Sequence, residues 1–270
     1  MVTAGSERRG EVVKLKGLRK ARRRLDQTPG LFNKIALIFH WARKISGSAL
    51  YISLLREKKR SDAFYKRLLL DRRFAQDFVN DNLPVDFHSK LVLDAGCGRG
   101  RAAAALSLLG ANAVGIDLTQ HKFWHDARRA SFVVADVASM PFSDASYDGC
   151  VCLSVLMYVK DDKDVLSEIY RVLKPGGMLV LQSANKGNLK SALTGRKLDP
   201  THKRTYEKNE AESLVQRMGF KVRLSTAIGF YSPILTHLIS DLITEKTWLL
   251  LGRLLPERYR GVLLMLCEKD

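Results

Sequence analysis

Residues 91–100 read Leu-Val-Leu-Asp-Ala-Gly-Cys-Gly-Arg-Gly: an aliphatic run that meets a carboxylate and passes into three glycines at alternate positions. Such a run is the pattern of a strand buried on both faces. Glycines directly after it let the backbone bend tightly and approach a ligand closely. Ala102–Ala105 then open a helix whose N-terminus stands behind the turn. Strand, glycine turn and helix predict a nucleotide-type site. Two familiar versions are excluded by detail. A dinucleotide fingerprint counted from Gly96 or Gly98 needs glycine at 101 or 103, where Arg101 and Ala103 stand. No Gly-Lys-Ser/Thr follows, so the turn is not a P-loop. Asp94, two residues before the first glycine, suits a ligand with an ammonium group better than a pyrophosphate.

The pattern recurs downstream. Aliphatic runs at Ala113–Ile116, Phe132–Val134, Cys150–Leu153 and Met178–Leu181 alternate with helical periodicity over Gly100–Leu109, Thr119–Arg129, Lys163–Leu173 and Lys208–Met218. Late strands at Lys221–Thr226 and Val262–Glu268 bring the count to seven. Alternation of this kind predicts an α/β fold, a Rossmann-like, mostly parallel sheet with helices on both faces. The second strand ends at Asp117, placed to accept both hydroxyls of a ribose. The third is followed by Asp136, suited to an exocyclic adenine amine. Asp94, Asp117 and Asp136 therefore converge on the carboxyl edge of the sheet.

Charge divides the chain unevenly. Of the net +17, residues 1–80 carry 20 basic and 7 acidic side chains, whereas residues 81–270 carry 25 and 21. Residues 1–30 read as a flexible basic arm closed by Pro29-Gly30, and 31–84 as a helical extension or lid broken at Asp81-Asn82-Leu83-Pro84. The domain proper spans 85–270, with a helical insert over 227–261 before the last strand. A basic arm suggests peripheral contact with an anionic membrane or with RNA. At 46% hydrophobic and 27% charged the chain reads as an ordinary globular one without a run long enough to span a membrane, and secretion is not expected. Four cysteines without zinc spacing predict thiols packed in the core and a reducing, cytoplasmic setting. His121 and His125 share a helical spacing, but with no third ligand they are expected to face solvent, and no metal site is assigned.

The stretches DAGCGRG (94–100), VGIDL (114–118), ADVASMPFSDASYDGCVCLSVLMYV (135–159) and RVLKPGGMLVL (171–181) together resemble the successive motifs of class I S-adenosylmethionine-dependent methyltransferases, in the branch with the small-molecule-type domain. The likeness covers about residues 85–226 and the final strand. It implies S-adenosyl-L-methionine as cofactor, its methionine end held by Asp94, Ala95 and the Gly96, Gly98, Gly100 loop. Asp117 takes the ribose in this scheme, with Leu118 against the adenine, Asp136 on its amine and the Val137 backbone on its ring. Ser154 sits just past strand four, where the family's acceptor pocket opens. Lys174-Pro175-Gly176-Gly177 resembles the turn that launches strand five.

Methyl displacement from a sulfonium needs alignment and exclusion of water, and a base only when the acceptor is a poor nucleophile. Tyr158, His202 and Tyr206 are the candidate bases. The first stands where the family often has His, and the others lie in a loop after strand five. Strand four lacks the Asn/Asp-Pro-Pro-aromatic turn of base and glutamine methyltransferases, and the chain has no Pro-Cys dipeptide. The expected acceptor is a small molecule, apolar, lipid-linked or glycan-type, an expectation helped by Trp248-Leu249-Leu250-Leu251 in the insert. An RNA methyltransferase using the basic arm is the alternative, and a non-catalytic cofactor-binding scaffold ranks below both. Oligomeric state is not legible.

Overall fold

The computed structural model describes residues 66, 69–195, 201–229 and 255–270. The arm 1–30, the helical pattern over 31–65 and insert residues 230–254 lie outside the described residues.

Seven strands, β1 (Leu91–Ala95), β2 (Asn112–Asp117), β3 (Ser131–Val134), β4 (Tyr147–Leu153), β5 (Leu173–Ala184), β6 (Phe220–Ile228) and β7 (Val262–Lys269), form one sheet. Its order is β3-β2-β1-β4-β5-β7-β6. Pairs from β3 to β5 are parallel, and β7 runs antiparallel between β5 and β6. The sheet is thus the seven-stranded, mostly parallel one that the alternation predicts. The switch of direction lies between β1 and β4, so a crevice opens at their carboxyl ends.

Helices cover both faces because successive strand residues point to opposite sides. On one side Val92, Val151, Val180 and Leu264 pack with α1 (Arg72–Asn82) and α2 (Arg101–Leu108). Ala75, Phe78 and Asn82 are buried in α1, which ends at Asn82 as Asp81-Asn82-Leu83-Pro84 predicts. In α2, Ala102–Ala105 are all buried, and their small side chains allow close approach to the sheet. On the other side Leu93, Cys150, Cys152 and Leu179 pack with α3 (Asp162–Val172) and α5 (Lys208–Arg217). Cys150 and Cys152 are fully buried on one face, and all four cysteines are free thiols. A short α4 (Leu189–Thr194) follows β5. Among the described residues, no helix is long and apolar enough to cross a membrane.

Local chemistry sets the element ends. The Asp161 side chain accepts from Lys163 N–H and starts α3, while Glu207 and Glu210 form a capping box on α5. Lys174–Gly177 bulges out as β5 begins, because β4 advances from Tyr147 to Gly149 while β5 advances from Leu173 to Met178. Asp148 ties the neighbouring strand starts, accepting from Leu91 N–H at 2.8 Å and from Lys174 Nζ at 2.7 Å.

One predicted element is absent. Residues 119–129 form successive turns, not a helix, with Trp124 N–H on His121 O and Ala127 N–H on Trp124 O. Phe123, Trp124 and Ala127 are nevertheless buried. Their spacing mimics an amphipathic helix, and tertiary contacts of the two aromatics win over that local preference. Trp124 stacks on Phe132 of β3 with ring centroids 4.9 Å apart, and its indole reaches the glycine turn. His121 stacks against Phe123, and His125 is exposed.

Candidate functional site

The carboxyl ends of β1, β2 and β4 and the turn after β3 surround a cavity of about 660 Å³, a size suited to a small-molecule ligand. Gly96, Asp117, Leu118, Asp136, Val137 and Ser154 line it, six of the ten residues expected to hold a cofactor. The register explains the convergence. Asp94 pairs with Gly115, and Asp117 pairs with Val134, two residues before Asp136.

The glycine turn is held by backbone bonds. Gly96 and Cys97 both donate to Ile116 O at 2.9 Å, and Gly100 donates to Cys97 O. Gly96, Gly98 and Gly100 all adopt left-handed backbone, with φ of 74°, 50° and 83°. Space adds a second demand at two of them. A Cβ on Gly96 would overlap the Val155 methyls, and one on Gly100 would lie 2.8 Å from the Phe132 ring.

Asp117 accepts from Gly98 N–H at 2.8 Å and from Thr119 N–H at 3.3 Å, so the same carboxylate that faces the cavity steadies the turn. Asp136 accepts from Ala138 N–H at 2.9 Å. Between them Leu118 is 64% exposed, an apolar side chain offered at the cavity wall, while Val137 is buried. Ser154 has a positive φ of 62°, uncommon for a residue with a Cβ, and its N–H donates to Gln182 O.

Asp94, Ala95, Gly98 and Gly100 do not line the cavity. The Asp94 carboxylate is buried and accepts from Ala103 N–H at 2.9 Å. Burial, opposed by that amide and supported by the negative charge of Asp117, pushes its pKa up to about 7.

Of the candidate bases, Tyr158 lines the cavity and is half exposed. Its hydroxyl lies 3.2 Å from Nε2 of buried His202. Two residues 44 apart in the chain meet because Lys203 N–H donates to Met157 O, which lays the later loop beside the turn after β4. Tyr206 corrects the expectation. It lines a separate depression, and its hydroxyl donates to buried Asp162 at 2.6 Å. Burial and that carboxylate push its phenol well above the usual range, so it acts as a strut. Val155, Lys160, Asp164 and Lys203 also line the cavity. Their one sequence signal was position, just after β4 or beside His202.

Residues 93–181 match a family described as a methyltransferase domain. The chain carries a class I S-adenosylmethionine-dependent methyltransferase domain. The chain is similar to 24-methylenesterol C-methyltransferase 2 of Oryza sativa subsp. japonica, 32% identical over 151 residues, 48% of this chain and 41% of that protein. It is also similar to the malonyl-[acyl-carrier protein] O-methyltransferase of Methylovorus sp. (strain MP688), 31% identical over 150 residues and half of each chain. The chain spans about half the length of the curated relatives it matches. Among solved structures, the [4+2]-cyclase SpnF shares the fold with a TM-score of 0.56 and 20% identity, over 74% of this chain and 80% of that one. A cyclase with this architecture underlines that a fold does not name a reaction.

The cavity fits S-adenosyl-L-methionine by its donor set. A ribose diol and an adenine amine are donors, and the two polar groups beside Leu118 and Val137 are the carboxylates Asp117 and Asp136. Each Asp117 oxygen accepts one amide and retains a second lone pair.

Proposed function

We propose that this domain transfers a methyl group from S-adenosyl-L-methionine to a small-molecule acceptor of apolar or lipid-linked character. The observation that carries the cofactor assignment is the joint presence of Asp117, exposed Leu118 and Asp136 in one cavity with Gly96. In this assignment Asp117 receives the ribose hydroxyls, Leu118 and Val137 flank the adenine, and Asp136 accepts from its amine. Asp94, Ala95 and the Gly96, Gly98, Gly100 turn hold the amino-acid end, and Ser154 marks the acceptor side. When bound, the group supplies a methyl carbon already activated on a sulfonium, so the chain's tasks are alignment and exclusion of water.

Tyr158 is the residue proposed to take a proton from the acceptor, with His202 behind it. The acceptor class draws support from relatives named for a sterol and for malonyl-[acyl-carrier protein]. The RNA alternative draws none from them.

Two measurements test this. Calorimetry with S-adenosyl-L-homocysteine is expected to give one-to-one binding, and absence of binding overturns the cofactor assignment. Incubation of methyl-tritiated cofactor with a total lipid extract is expected to put label in an organic-soluble product. Label found in added aqueous metabolites instead overturns the apolar class.

A further inference from the structure

The turns at 119–129 place an indole where the cofactor turn needs a fixed peptide. Trp124 Nε1 donates to Gly98 O at 2.8 Å, while Gly98 N–H donates to Asp117 Oδ2, also at 2.8 Å. Gly98 is therefore gripped on both sides, by the indole through its carbonyl and by the cavity carboxylate through its amide. The grip is itself anchored. Trp124 lies nearly parallel to Phe132, at 11°, and Phe132 is seated over Gly100 and Gly115, where an added Cβ would stand 2.8 Å or closer to its ring. Trp124 is 7% exposed, so most of the indole that makes this bond is withdrawn from water.

Steric crowding does not account for the conformation of Gly98. Nothing lies within 4 Å of a Cβ built there, yet its φ is 50°. In a chain free to choose, a glycine with open space samples both signs of φ. The two hydrogen bonds select one. A planar trans peptide then directs the Arg99 N–H to the side opposite Trp124, so the indole sets the direction of an amide in the turn before α2.

We infer that Trp124 is a positioning residue for the amino-acid end of the cofactor, acting through the Gly98 carbonyl. This rests on reading the cavity as the S-adenosylmethionine site.

Trp124→Phe keeps an aromatic ring for Phe132 and deletes the donor. Calorimetry is run on the full chain with two probes, S-adenosyl-L-homocysteine and 5′-methylthioadenosine, which lacks the amino-acid end. The expected result is about a five- to tenfold loss of affinity for the first and less than a twofold change for the second. Equal loss on both probes marks a general disturbance of the site and overturns the positioning role, as does no loss on either. Failure of the unaltered chain to bind either probe overturns the cofactor reading instead. Should Trp124→Phe not fold, indole-15N spectra of the unaltered chain decide. The Trp124 indole resonance is expected to shift and gain exchange protection with S-adenosyl-L-homocysteine and not with 5′-methylthioadenosine. An identical response to both overturns the inference.

Discussion

The Asp94 carboxylate accepts the Ala103 amide at 2.9 Å, so the end of β1 caps the first turn of α2 from across the glycine turn. Gly100, the residue at the cap position, has no side chain to do this. The cap comes with a pH dependence. Burial raises Asp94 from an ordinary 3.8 to about 7. Between those values the folded chain keeps a proton that the unfolded chain has released, so unfolding releases it and stability falls as pH rises from about 4 to about 7. The slope from this group alone reaches at most about 1.4 kcal/mol per pH unit. Asp94→Asn, whose amide oxygen still accepts from Ala103, is expected to flatten that part of a urea-denaturation series. An unchanged slope would assign the dependence elsewhere.

Gly96 and Gly98 both stand at positive φ, but only Gly96 has a neighbour in the way. Gly98→Ala is expected to cost about 1–2 kcal/mol, the left-handed penalty alone. Gly96→Ala adds overlap with the β-branched Val155 and is expected to cost about 2–4 kcal/mol. Chemical denaturation of both variants and of Gly96→Ala with Val155→Ala checks this. The second change should recover part of the loss. If the two single variants lose equally and nothing is recovered, the Val155 contact is immaterial.

How far the site was legible follows from where its signals lie. Leu91–Ala95 and Cys150–Leu153 could be read because parallel strands buried on both faces are nearly continuous apolar runs. Asp117, at the end of β2, and Asp136, two residues past β3, could be read because residues at the carboxyl ends of parallel strands share one edge of the sheet. The stretch 119–129 could not, since Phe123 and Ala127 keep helical spacing while the hydrogen bond from Trp124 to Gly98 has no local trace. The place of Tyr206 has no local trace for the same reason. Which loop residue faces the cavity depends on Asp162, 44 positions away.

Tyr206→Phe removes a donor from Asp162, which is 3% exposed and keeps Arg204 at 3.3 Å. Leaving that carboxylate short of a partner is expected to cost about 1.5–3 kcal/mol of stability. Affinity for S-adenosyl-L-homocysteine should not change, because the tyrosine lies off the cavity. A variant of full stability with weakened ligand binding would return Tyr206 to the site.

Asp117 serves the turn and the cavity at once, so its replacement separates the two roles. Asp117→Asn keeps an acceptor for Gly98 or Thr119 and loses the charge. Asp117→Ala loses both amide contacts. The expected order of affinity for 5′-methylthioadenosine is the unaltered chain, then Asn, then Ala, with about a 100-fold loss at Ala from two charge-assisted hydrogen bonds. Calorimetry checks it, and unchanged affinity in the Ala variant would sink the ribose assignment.

Tyr158 faces the cavity with His202 Nε2 3.2 Å behind its hydroxyl, a path by which a proton leaving an acceptor can move inward without entering solvent. A hydroxyl acceptor needs that removal as its oxygen attacks, whereas a neutral amine attacks through its lone pair first. Tyr158→Phe is therefore expected to lower turnover of a hydroxyl acceptor about 100-fold or more while S-adenosyl-L-homocysteine binds within twofold of normal. His202→Gln keeps a hydrogen-bonding partner for the phenol but no base, and should lower kcat with little change in KM. The two variants should be non-additive, because each interrupts the same transfer. Additive losses, or equal losses on hydroxyl and amine acceptors, would reduce the pair to a packing contact under the cavity wall.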